Sequence, residues 1–171
     1  MFKKYGKKML IALGAILLLL QFVRPAKNLS NDQSQHLNTK YPVPEDVQAI
    51  LTRSCDDCHS NKTVYPWYAE IQPVGIWLAN HVNEGKRHLN FSTFTSRKIA
   101  IQNHKLEEII EMVKEGEMPL GSYTLIHRDA ILSEAQKERL TSWAAAMMDT
   151  LKTHYPADSL VLRRPPAAPS K

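Results

Sequence analysis

The chain has only two cysteines, and they lie two residues apart. A bond between them would close a very small loop, so a structural disulfide is not the reading. Glycine is sparse, with six in the chain, and no Gly-rich phosphate loop is present. Nothing alternates at strand period, no internal repeat is visible and no Ser-His-Asp set stands out. Runs of Lys and Arg interleaved with aromatics are missing from the central region, which argues against nucleic acid as a partner. The net charge of +5 does not restore that idea, because the basic excess sits at the ends. Residues 1–27 carry six Lys and Arg and no acid; residues 44–151 carry 11 Lys and Arg against 15 Asp and Glu, a net −4.

What the chain does have is Ser54-Cys55-Asp56-Asp57-Cys58-His59-Ser60. Cys-x-x-Cys-His is the attachment pattern of c-type haem. Each thiol adds across one vinyl group, and a helical turn between the cysteines lets both reach one edge of the macrocycle. The next residue, His59, is then placed to bind iron from below. A zinc site built on the same three residues needs a fourth ligand. The remaining histidines (His36, His81, His88, His104, His127 and His154) form no second paired motif to supply it. A thioredoxin-like dithiol needs a βαβ context, and none is visible.

Residues 1–8 are basic, and Met9 to Val23 is apolar except for Gln21. This combination predicts an uncleaved signal anchor, residues 1–24, spanning the membrane with its N-terminus in the cytoplasm. Residues 25–43, rich in Asn, Gln and Ser, read as a flexible linker in which His36 is solvated. A helical domain is expected over residues 44–151, followed by a disordered Pro/Ala-rich tail over 152–171.

Within the domain, a helix is predicted to open near Pro44, with Val47, Ile50 and Leu51 on one face and the cysteines continuing that face. Tyr65-Pro66-Trp67-Tyr68 reads as a loop over a flat group, with Trp67 or Tyr68 hydrogen-bonding a propionate, or else as ordinary aromatic core. A helix from Pro73 is expected to stop at Gly85, and Lys86 and Arg87 are read as propionate partners or solvated charge. Another helix, from Ser96 to Glu115, ends at Gly116. The Met118-Pro119 pair that follows offers a rigidly held thioether, the type of group needed as the second axial ligand. His127 and Met112 are the alternatives. Ser133-Glu134-Ala135-Gln136 is a capping box opening a last helix through Leu140, Trp143, Ala144, Met147 and Leu151.

Taken together, residues 44–151 resemble the bacterial haem-binding domain family related to class I cytochromes c. The matching pieces are the Cys-x-x-Cys-His stretch, Tyr65-Pro66-Trp67-Tyr68, Leu89-Asn90-Phe91, Gly116-Glu117-Met118-Pro119, and Leu132-Ser133-Glu134 with Trp143. The resemblance implies a small all-α, cytochrome c-like domain around covalent haem c, matured outside the cytoplasm. Together these readings predict a single-pass protein of the bacterial inner membrane whose haem domain is periplasmic and passes single electrons. Its expected partners are redox proteins of the periplasm or membrane, with no small-molecule substrate. Cys55 and Cys58 would attach haem, His59 and Met118 would bind iron, and Trp67 and Tyr68 would wall the pocket. The rival reading is a haem enzyme or gas sensor with an open sixth position, where His127 or His104 does acid/base work. A zinc-binding interaction module is the third.

Overall fold

A computed structural model describes residues 2–162, with side chains from Tyr5 onward. Every regular element among them is helical, and no strand occurs among the described residues. In chain order the α-helices are α1 (Phe2–Leu20), α2 (Glu45–Ser54), α3 (Asp56–His59), α4 (Val74–His88), α5 (Ile99–Glu115), α6 (Gly121–Thr124) and α7 (Glu134–His154). Short 3₁₀ turns join several of them.

The core follows from apolar spacing. In α2, Val47, Ile50, Leu51 and Ser54 are buried, the i, i+3, i+4, i+7 stripe of one helix face. In α5 that stripe is Gln102, Leu106, Ile109 and Val113, and in α7 it runs through Leu140, Trp143, Ala144, Met147 and Leu151. Helix α7 packs mainly on α5 and, less extensively, on α2. Ala144 is fully buried in that packing, whereas Ala145 and Ala146 face outward. The capping box holds α7 at its start: Ser133 Oγ accepts from Gln136 N, and Gln136 Oε1 accepts from Ser133 N at 2.9 Å. The one polar member of the α5 stripe, Gln102, is satisfied in place. Its side-chain oxygen accepts from the Tyr41 hydroxyl and its amide donates to Thr95 O and Arg97 O.

The expected transmembrane helix is not there: no helix among the described residues is long and apolar enough to cross a membrane. Lysines occupy the first turns of α1 and the helix stops at Leu20. Its apolar stretch, Met9–Leu20, spans about 18 Å at 1.5 Å per residue, against roughly 30 Å of hydrocarbon. Beyond Leu20 the chain turns onto the domain: Gln21 Nε2 donates to Gln72 O and Gln21 Oε1 accepts from Gln72 N, both at 3.0 Å. The single-pass inner-membrane placement rested on that span and is corrected with it.

Residues 25–43, expected to be flexible, are laid along the domain. Asn28 Nδ2 donates to Ser60 O at 2.8 Å and to Thr63 Oγ1 at 3.0 Å, and its backbone N–H donates to the Tyr65 hydroxyl. Side-chain amides reach backbone groups that a sequence window cannot show them to be near. His36, expected in solvent, is buried and accepts from Asn38 N through Nδ1. Leu37 and Tyr41 belong to the core, and Trp143 Nε1 donates to Pro42 O. Of the tail, residues 163–171 lie outside the described part. Before them α7 continues to His154, and Leu160 is buried in the core.

Candidate functional site

Helix α3 is one turn long and carries the second cysteine and His59, with Cys55 at its N-terminal boundary. It packs on α4, and the packing is close because position 85 has no side chain. A Cβ on Gly85 would lie 2.6 Å from the Cys58 carbonyl oxygen and 3.1 Å from Cys58 Cβ. Gly85 therefore does not stop the helix, as its type suggested; α4 passes through it to His88.

That contact fixes His59. Its Nδ1 lies 3.0 Å from both Gly85 O and Leu89 O. Two carbonyls can only accept, so Nδ1 carries the proton and donates. Nε2 is then the unprotonated nitrogen, free to bind a metal. Burial pulls the imidazole pKa below its usual value, more than the two carbonyls raise it, so the ring is neutral at neutral pH. Phe91 meets it edge-on at 6.3 Å between centroids.

His59 faces a cavity of about 420 Å³ bounded by α3, α4, α5 and residues 118–123, a size usual for cofactor pockets. Both cysteines line it, with Leu51, Phe91, Ile109, Val113 and Leu140 supplying apolar wall. Neither thiol is in a disulfide. Burial pushes Cys55 up to about 12 and Cys58 up to about 11, so both are neutral thiols at neutral pH.

Met118 lines the same cavity. Helix α5 ends at Gly116, whose φ of 76° is the left-handed region that glycine enters freely. The chain then folds back, and the N–H groups of Glu117 and Met118 both donate to Met112 O, at 2.9 and 3.1 Å. Met112 also lines the cavity. Nothing in the local sequence singles out Tyr123, yet it closes the wall. Its hydroxyl donates to Asp57 Oδ2 at 2.8 Å, and Asp57 Oδ1 accepts from Val64 N.

The other expected residues lie elsewhere. Trp67 is 77% exposed, and neither it nor Tyr68 lines the cavity. Tyr68 is hydrogen-bonded to His127 Nε2 at 2.9 Å, and the His127 ring stacks on Tyr123 at 4.3 Å. His127 is thus held away from the cavity lining, as is His104, which sits beside Glu107 and Glu108. Lys86 reaches Asn28 Oδ1 instead of the cavity. Among the described residues, no group of three or more His, Cys, Asp or Glu is arranged to hold a metal ion, which removes support from the zinc reading.

An apolar slot with two neutral thiols at one side, a neutral imidazole offering Nε2 and a thioether fits a large, flat, apolar ring that carries a metal. It does not fit a free ion. The class this defines is a porphyrin-binding protein. A family model described as a haem-binding domain matches residues 15–146, and the chain belongs to that family. No curated protein and no solved structure matches the chain.

Proposed function

We propose that this haem-binding protein attaches its haem covalently and transfers single electrons. The observation that carries the reading is the pinned His59, with its Nδ1 proton held by Gly85 and Leu89 and the two thiols lining the same cavity. Bound haem supplies an iron that exchanges one electron at a time. Cys55 and Cys58 would each hold the ring by a thioether, the sulfur bonding one vinyl carbon and the thiol hydrogen going to the other. His59 Nε2 and the Met118 sulfur would be the groups that hold its iron.

With His59 and Met118 both holding the iron, the chain would leave no site open for a substrate, which suits electron transfer over oxygen or peroxide chemistry. His127 and His104, the two histidines on which the enzyme reading relied, are absent from the cavity lining. The carrier's counterpart is a redox partner protein. Glu84, Glu108 and Glu111 line the cavity and favour a partner with a basic face.

The test is haem staining after denaturing electrophoresis of protein made in a host able to mature such chains. Wild type keeps its haem, each of Cys55→Ser and Cys58→Ser keeps it through one bond, and the double variant loses it. A wild-type chain that is colourless, with two titratable thiols, overturns the reading.

A further inference from the structure

A second, smaller pocket of about 150 Å³ adjoins the haem cavity, and His88 and Leu89 line both. The two differ sharply in charge. The haem cavity is lined by Asp57, Glu84, Glu108 and Glu111, and by no Lys or Arg. The small pocket is lined by Lys86, Arg87, Arg97 and Lys105, and by no acid. Haem carries two propionate carboxylates, and its own cavity offers them no Lys or Arg.

Two ion pairs straddle the boundary: Arg87 with Glu84, and Lys105 with Glu108, each joining a cation of the small pocket to an acid of the large one. The Arg87–Glu84 pair is solvent-exposed and of the weak, readily exchanged kind, whereas Lys105 is part-buried beside Glu108. Lys86 is turned toward Asn28. Among the described residues the Arg97 side chain makes no hydrogen bond or ion pair, although its own backbone carbonyl is fixed by Gln102. We propose that this pocket is the oxyanion seat of the haem: Arg97 and Lys105, across the 88–89 segment, receive a propionate carboxylate. This rests on the haem reading and assigns the charge partner that the cavity lacks.

The test is the pH dependence of the reduction potential of the haem-loaded full chain. The charged groups facing the seat are Lys86, Arg87 and His88 with Glu84 on α4, and Lys105 with Glu108 on α5, besides Arg97. Wild type is compared with Arg97→Gln, Lys105→Gln, the double variant and Lys114→Gln, an exposed α5 control outside both pockets. A cation within about 4–6 Å lowers a carboxyl pKa by about 1–3 units. The propionate inflection is therefore expected to move up by about one pH unit in each single variant and further in the double variant, with no movement in Lys114→Gln. An inflection unmoved in the double variant overturns the seat and leaves haem binding intact. A chain without a Soret band overturns both. Inorganic phosphate is the second arm. If it shifts the wild-type potential saturably and the double variant abolishes that response, a free oxyanion occupies the pocket and the propionate assignment falls.

Discussion

Gly85 lies directly against Cys58, so close that the smallest side chain would strike the Cys58 carbonyl oxygen at 2.6 Å. The atom in the way is backbone and cannot rotate aside. In Gly85→Ala, the gain in helix propensity of about 1 kcal/mol competes with an overpacking cost of about 1–3 kcal/mol. The clash is expected to win, with net destabilisation of about 1 kcal/mol and reduced haem loading, because the Gly85 carbonyl that holds His59 shifts too. Denaturant unfolding and the haem-to-protein absorbance ratio measure the two effects. A more stable, fully loaded variant would contradict the packing argument.

Met118→Ala is expected to lower the reduction potential of the haem-loaded protein, since Met/His ligation raises it. It should also let carbon monoxide bind the reduced protein faster. Potentiometry and carbon monoxide mixing read both. If neither changes, the sixth position passes to Met112, whose side chain also lines the cavity.

Asp56 lies between the two cysteines, and its Oδ1 is buried without a hydrogen-bond partner. Burial holds its carboxyl above the ordinary carboxylate range. As pH climbs through that ordinary range, the unfolded chain releases the proton while the folded chain keeps it. Stability therefore falls with rising pH until the folded pKa is passed. Asp56→Asn should melt higher than wild type at neutral pH, with the difference gone near pH 3. Thermal unfolding at both pH values decides; a neutral-pH loss in the variant would show that the charge is needed.

The Tyr123 hydroxyl donates to Asp57 at 2.8 Å. Burial, reinforced by that carboxylate, raises its pKa far above the usual phenol range. Tyr123→Phe removes a hydrogen bond to a charged acceptor, at a cost of about 1.5–3 kcal/mol. In an alkaline absorbance titration the variant should show the same tyrosine amplitude below the unfolding pH as wild type, because Tyr123 stays protonated there. A smaller amplitude would mean that the phenol titrates in the folded chain.

The helices of the domain were legible because their signals are local. Val47, Ile50 and Leu51 mark the buried face of α2, and the capping box at Ser133 marks the start of α7. Where a residue type has two uses, the local signal misled. Gly85 suits a helix end, but in this fold it permits close contact between helices, and a glycine inside a helical pattern is the only hint of that. The polar stretch around Asn28 and His36 looked uncommitted because the groups it binds lie some thirty residues on, at Ser60 and Thr63, or are core residues. The apolar N-terminal run is itself shorter than the hydrocarbon core and needed its flanking lysines to serve as an anchor, but α1 ends at Leu20 and Gln21 pairs with Gln72.

By itself the sequence determined which side chains stand together at one edge of the cavity, Cys55, Cys58 and His59. Spacing along one helical turn is a covalent property, so two thiols separated by two residues, with an imidazole next to the second, meet one ligand in any helical setting. Only the tertiary structure decided how that imidazole is held, which sulfur shares its cavity and where the positive charge lies. Those depend on carbonyls 26 and 30 residues away and on cations from two helices. Such neighbours are brought together by burial of the whole core, which no local pattern encodes.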